Sequence, residues 1–437
     1  MNRSILRLAL PSIVSNMTVP LLGLVDVMIV GHLGSTSYIG AIAVGGLLFN
    51  IIYWNFGFLR MGTSGLTSQA YGRRDEAGEV QVLVQALAVG LVSALAILVL
   101  QYPVERIAFY FLETSGAVER YAVTYFRICV WGAPAVLMLY SFKGWFIGMQ
   151  NSHFPMFIAI AVNVINIACS LCFVFLLGMK VEGVAYGTLI AQYLGLLMAV
   201  GLWLKKYHGL RVQVRWRGTF RWQAMSHFFA VNRDIFLRTL CLIAVTTFFT
   251  STGAKQGDVV LAVNTLMMQL FTLFSYVMDG FAYAAEALVG RYVGECNLKQ
   301  LRRAVRSLFG WGIGLAAAFT LLYGAGGEGF LGLLTNDMTV IAHTGEYFYW
   351  VLAIPLAGFS AFLWDGILIG ATATRQMLWS MLVAVGIFFG VYYGFSDGTN
   401  NHLLWLAFLL YLLSRGVMQT LWGRRVFTDQ YLESLRR

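Results

Sequence analysis

Asp26 lies in PLLGLVDVMIVG (20–31), inside an apolar run from about Ile5 to Val30 that opens with Arg3 and Arg7. A carboxylate bound for lipid is costly, and by default it marks an ion or substrate path. Its chemistry would be to take up and release a proton or to hold a cation. Pro20 sits six residues earlier. A proline inside a helix removes the hydrogen bond to the carbonyl of residue i−4, here Asn16, and bends the helix. A bent first helix with a nearby acid is a gating element; the plain alternative is an acid that caps a loop or pairs at the interface. Further on, AVNVINIACSLCFVF (161–175) places Asn163, Asn166 and Ser170 at i, i+3 and i+7, on one helix face, and Thr188 follows in the next apolar run. Amides and hydroxyls of this kind hold Na⁺, hydrogen-bond a titrating acid, or simply join neighbouring helices.

The second half carries more charge. AVNRDIFLRT (230–239) holds Arg233, Asp234 and Arg238, and the i, i+4 spacing of Asp234 and Arg238 predicts a local structural ion pair. MDGFAYAAEALVG (278–290) puts Asp279 and Glu286 on one face, with Glu286 near the cytoplasmic end. Trp364 and Asp365 follow in another apolar run. Met17, Met28, Met61, Met138, Met149, Met267, Met268 and Met278 would suit an adaptable apolar cleft wall or ordinary packing.

The elements that must position these residues are membrane helices. Of 437 residues, 59% are hydrophobic and 11% charged, with a mean hydropathy of +0.72; a soluble domain carries about a quarter charged residues. A span needs about 20 apolar residues, which predicts an all-α polytopic protein with twelve: roughly 7–31, 39–68, 80–102, 118–149, 154–178, 183–204, 224–253, 259–290, 302–325, 339–370, 376–395 and 402–424. The first run passes into a Gly-rich loop without an A-x-A-like cleavage site, so it reads as a span rather than a signal peptide. Lys and Arg collect in alternate connections (3–7, 73–74, 205–221, 291–306, 375, 424–437), whereas the connections near 326–338 and 396–401 hold only Glu328, Asp337 and Asp397. By the positive-inside rule both termini are cytoplasmic.

The basic stretch KKYHGLRVQVRWRGTFRW (205–222) lies midway and divides the chain into lobes at 1–204 and 223–437. YFRICVWGAPAVLMLYSFKGWFIG (125–148) resembles YFYWVLAIPLAGFSAFLWDGILIG (347–370) at an offset of 222, with one residue gapped before the proline. The same offset aligns Leu66 with Leu288 and Gly72 with Gly294. Six spans per half imply two parallel six-helix lobes related by a pseudo-twofold axis along the membrane normal, an arrangement suited to rocking between two access states. The repeat sets Asp365 where Lys143 stands in the first half, which leaves room for a buried Lys–Asp pair across the pseudo-twofold axis, neutral overall and able simply to hold the halves together.

Other classes fit less well. The net charge of +10 sits in short loops, which accounts for it without nucleic acid. No HExxH, GxSxG, paired GxGD-like aspartates or P-loop is present, so no enzyme and no ATP-driven pump is expected, and the scattered His32, His153, His208, His227, His343 and His402 lack metal-ligand spacing. The five cysteines form neither CxxC nor an even framework. A lipid-linked or anionic-metabolite flippase would want arginine and lysine in the cleft; Arg60, Arg127, Lys143, Arg233 and Arg238 are available, with several acids against them.

Taken together, PLLGLVDVMIVGHLG (20–34), NRDIFLRTL (232–240), MDGFAYAAEALVG (278–290) and WDGILIGATATRQM (364–377) resemble the multidrug and toxic compound extrusion (MATE) transporters, and their DinF-like branch in particular. The resemblance covers nearly the whole chain. It implies a bacterial inner-membrane antiporter, monomeric and without a cofactor, that exports cationic or amphipathic organic compounds against inward H⁺ or Na⁺. It places Asp26 at the centre of cation coupling, with Asn166, Ser170 and Thr188 as its partners. Many relatives carry a carboxylate where this chain has Ser170, which weakens a two-carboxylate Na⁺ site and favours H⁺. Asp365 matches a tenth-helix acid that serves cations in the Na⁺-coupled branch; the seventh-helix acid of that branch has no match beyond Asp234.

Overall fold

The computed structural model describes residues 1–111, 116–213, 216–334, 338–395, 400–428 and 431. Among these residues it is helical throughout, and twelve stretches are long and apolar enough to cross a bilayer. In lipid a backbone must satisfy its own polar groups, and a helix does so within one segment. The spans are α1 (Asn2–Gly31), α2 with α3 (Thr36–Asn55, Phe58–Arg73), α4 (Glu76–Val99), α6 with α7 (Gly116–Cys129, Ala133–Gly148), α8 (His153–Leu171), α9 (Val181–Lys206), α11 (Trp222–Lys255), α12 (Asp258–Gly294), α13 (Leu298–Leu334), α14 (Met338–Gly370), α15 (Thr374–Phe395) and α16 (Asn401–Gly423). Their outer faces carry large apolar side chains such as Leu24, Val92, Leu197 and Leu321, as lipid contact requires.

Two short helices go beyond the sequence reading. α5 (Gln101–Phe111) occupies a stretch left between spans; it carries Glu105, which receives Arg127 in a bidentate pair with both N···O distances 2.8 Å. α10 (Trp216–Thr219) lies in the midway linker, which also holds a 3₁₀ turn at His208–Gln213. α13 continues to Leu334 with a break at Gly327 (φ 22°), so most of the connection expected at 326–338 is helical; Asp337 and Asp397 lie outside the described residues.

Contacts divide the chain into two compact units, residues 14–232 and residues 1–13 with 233–437. The boundaries expected at 204 and 223 differ from these for local reasons. The start of α1 packs on α12, where Gly280 has no side chain to hold off Ala9 and Ile13. The linker and the start of α11 pack in the first unit: Gln85 Nε2 donates to the Thr219 carbonyl at 2.9 Å, and Gly62 lies against Asn232.

The internal repeat has a packing counterpart within each unit. A Cβ on Gly144 would strike the backbone of Arg60, and one on Gly366 would strike Ala282, which lies 222 residues after Arg60. Gly148 abuts the Ser64 carbonyl and Gly370 that of Glu286, again at 222. The gap in the repeat falls where the two halves bend differently. In the first, a 3₁₀ turn at Val130–Gly132 ends α6 and Pro134 sits in the first turn of α7, where its missing N–H costs nothing. In the second, Pro355 lies inside the unbroken α14.

Candidate functional site

In the first unit α1 runs as one helix across Pro20 and carries Asp26 inward, 6% exposed. Its Oδ1 is buried with no hydrogen-bond partner among the described residues. A buried unpartnered polar atom costs about 1–3 kcal/mol, and more if charged, so the fold holds this carboxyl at a cost. The groups around it are neutral. Tyr125 on α6 lies within electrostatic reach of Asp26, and its hydroxyl faces Thr188 and Cys129. Asn166 Nδ2 donates to Thr188 Oγ1 at 2.8 Å, and Ser170 Oγ donates to Asn166 Oδ1 at 3.3 Å. Thus α6, α8 and α9 present a linked set of hydroxyl and amide groups beside α1.

Asn163 leaves this set. Its Nδ2 donates to the Thr18 carbonyl of α1 at 2.9 Å, tying α8 to α1 close to Pro20. Tyr125 was not singled out from sequence as a site residue. Its one signal was a polar hydroxyl one turn before Cys129 in an apolar run. Gly45 makes room for its ring, and a Cβ there would collide with it.

The close approach of α8 and α9 depends on Gly187. A Cβ at that position would meet the backbone nitrogen of Ser170 at 2.9 Å and press on its hydroxyl. We therefore expect Gly187→Val to part the two helices and break the Asn166–Thr188 bond. The variant should insert and fold with a loss of about 1–3 kcal/mol, the usual cost of overpacking, and export should fall more than in Thr188→Val, which removes the threonine hydroxyl but leaves the helix spacing unchanged. Equal transport in the two valine variants would show that helix spacing does not matter at the site.

In the second unit Asp234 and Asp365 are both paired. The expected local Asp234–Arg238 bridge does not form. Asp234 Oδ1 accepts from the adjacent Arg233 at 3.0 Å and its Oδ2 from Thr374 Oγ1 at 3.2 Å. Arg238 turns instead to Asp365 of α14, and Arg415 Nη2 reaches the same Oδ2 at 2.6 Å. Gln419 Nε2 donates to Asp365 Oδ1 at 2.6 Å. Both Asp365 oxygens thus accept from side chains of its own unit. Neither Arg415 nor Gln419 was foreseen.

The remaining candidates serve packing or stand apart. Trp364 is 3% exposed, with its ring 5.8 Å from Phe309 and 6.0 Å from Phe427. Glu286, which the sequence places near the cytoplasmic end, is buried at the α12–α14 crossing, and Asp279 is half-buried. Lys143 is half-buried beside the Arg60 guanidinium. Met267 and Met278 are buried core residues of the second unit, whereas Met28 is exposed. Among the described residues no three His, Cys, Asp or Glu side chains gather as metal ligands would.

Twelve apolar helices, with a buried acid in the first and intramembrane polar sets in both units, define a polytopic membrane protein built around ionisable groups. The chain belongs to the MATE family: the MatE signature matches residues 11–172 and 235–393. It is 36% identical over 435 residues to DNA damage-inducible protein F of Escherichia coli (strain K12), covering 97% of this chain and 92% of that protein. It is 22% identical to the probable multidrug resistance protein NorM of Rhizobium meliloti, over 95% of this chain and 91% of that one. A MATE crystal structure in the bent conformation superposes with a TM-score of 0.85 over 99% of this chain and 96% of its own, at 20% identity.

Proposed function

We propose that this MATE-family membrane protein is a secondary exporter of cationic and amphipathic organic compounds, and that it exchanges them for protons at Asp26. The observation that carries the reading is the buried Asp26 carboxyl, with one oxygen unpartnered among neutral hydroxyl and amide groups, while Asp234 and Asp365 are already occupied. The name of the Rhizobium meliloti relative, a probable multidrug resistance protein, supports the substrate class.

The exchange follows from one charge. Open to the outside, Asp26 takes a proton, and a bound cation loses its counter-charge and leaves. Open to the cytoplasm, Asp26 releases the proton and its carboxylate attracts the next cation. Proton and substrate exclude each other, so the inward proton gradient drives the outward step by mass action. Ser170, Asn166, Thr188 and Tyr125 tune this acid as hydrogen-bonding groups and add no charge of their own. The lysine and arginine pattern supports cytoplasmic termini, and the likeness to the Escherichia coli protein supports an inner-membrane location. The scheme needs no more than one chain, which supplies both units, and takes a monomer as the working form. No cofactor enters the scheme.

Efflux of a fluorescent organic cation from proteoliposomes tests the reading. A pH gradient alone should drive it and an Na⁺ gradient at equal pH should not; the reverse would overturn proton exchange.

One observation favours a second reading, the transport of substrates with an anionic group. Lys143 and Arg60 lie side by side in the first unit, and one solved structure resembling this chain, a MOP superfamily transporter from Pyrococcus furiosus, is described by a binding pocket of reverse polarity that suggests a different function. Against it, Arg127, Arg233 and Arg238 are neutralised by Glu105, Asp234 and Asp365. Export of an anionic amphiphile that survives Asp26→Asn and is lost in Lys143→Gln would favour this reading.

A further inference from the structure

We propose that Arg415 and Arg238 are built-in counter-cations of Asp365, occupying the place where this acid would otherwise bind Na⁺ and so restricting ion exchange to the first unit. The inference deepens the proton-exchange reading above, and for its consequence in transport it rests on that reading.

It starts from a face of α16. Tyr411, Arg415 and Gln419 recur every four residues and all three are buried. That spacing lays them in one row along the helix. Arg415 is 2% exposed and Gln419 0%, and both reach Asp365 on α14, which is 6% exposed. Arg238 approaches the same carboxylate from α11 and is 7% exposed. Two helices, α11 and α16, therefore converge on one buried acid of a third.

Both Asp365 oxygens already carry donors. Oδ2 accepts from two guanidinium groups and Oδ1 from the Gln419 amide. Na⁺ would need these oxygens as ligands and would arrive beside two fixed positive charges. In a low-dielectric interior that repulsion is strong. A guanidinium carries the same single charge as Na⁺ and adds directed donors, which suits it to buried carboxylates. Asp279 of α12 also faces Arg415, so two arginines stand against two acids and the set balances. The Arg415 guanidinium further lies 5.9 Å from the Phe362 ring centroid.

Removing Arg415 leaves Asp365, Asp279 and Arg238 with one net negative charge around a gap the size of a cation. The expected result is an Na⁺ site that the wild type lacks. The test is ²²Na⁺ binding to the full chain purified in detergent, in a background of Asp26→Asn so that the first unit cannot contribute. Asp26→Asn alone should bind no Na⁺ above a protein-free detergent blank. Asp26→Asn with Arg415→Gln should bind one, and with Arg415→Lys none, because lysine restores the charge.

Two results would overturn the proposal: Na⁺ binding to Asp26→Asn alone, or no gain in a folded Arg415→Gln variant. The first reads out even if Arg415→Gln does not fold. Proton-driven export by Arg415→Gln with Asp26 intact is scored separately, so failure of the proton reading and failure of the counter-cation reading are distinguishable.

Discussion

Asp26→Asn should abolish proton-driven export, lowering cation efflux under a pH gradient to the level of liposomes without protein. The side chains have nearly the same shape, and asparagine neither takes up a proton nor carries the charge that would attract a cation. Stability should hold or rise slightly, because an amide is neutral where a buried carboxyl oxygen has no partner. The variant should therefore be retained in the membrane at wild-type levels with normal thermal stability, and that separates loss of coupling from loss of fold. By contrast, Tyr125→Phe and Thr188→Val keep the acid and remove single hydroxyls; they should slow export without ending it. Full efflux by Asp26→Asn would place the coupling charge elsewhere.

Asp365→Ala should be the most destabilising single change in the second unit. It leaves Arg238 and Arg415 buried with no carboxylate between them. Breaking a buried ion pair from one side costs about 3–5 kcal/mol, because the remaining charge is uncompensated; here two guanidinium charges are left with only Asp279 facing one of them. The measurement is the temperature at which the detergent-solubilised chain leaves its monodisperse peak on size-exclusion chromatography. Trp364→Phe, at the neighbouring position, keeps most of the ring packing and should shift that temperature little. An Asp365→Ala variant as stable as the wild type would show that the arginines find other partners, and the counter-cation account would lose its structural basis.

The twelve spans were legible because bilayer thickness sets their length and composition sets their place. Most of the expected ranges fall within a few residues of the helices. α5 was hidden for the same reason: Gln101–Phe111 is too short for a span and too mixed in polarity to stand out. The repeat was legible in Gly144, Gly148, Gly366 and Gly370, since each crossing needs a residue without a side chain and the need recurs in both halves. What sequence could not give was partner choice.

Spacing along one helix predicted Asp234 with Arg238, but an i, i+4 pair is worth only a few tenths of a kcal/mol. A buried acid on another helix outweighs that. Arg415 and Gln419 escaped notice because their partner is 50 residues away for one and 54 for the other, and nothing local marks the pairing. The face of Asn163, Asn166 and Ser170 was correctly read as polar, yet it serves two neighbours: Asn163 turns to α1 and the others to α9. Asp26 needed no partner to be noticed. Its signal was a carboxylate inside an apolar run, and the structure keeps that carboxyl buried with one oxygen unpartnered.

The central claim is that proton and substrate compete for Asp26. The most direct measurement is proton release when a cationic substrate is added to the purified chain in weakly buffered detergent, followed with a pH indicator. The account predicts release of protons on binding to the wild type, substrate affinity that weakens as pH is lowered, and neither effect in Asp26→Asn. Substrate binding with no proton release from the wild type, or the same release from Asp26→Asn, would contradict it.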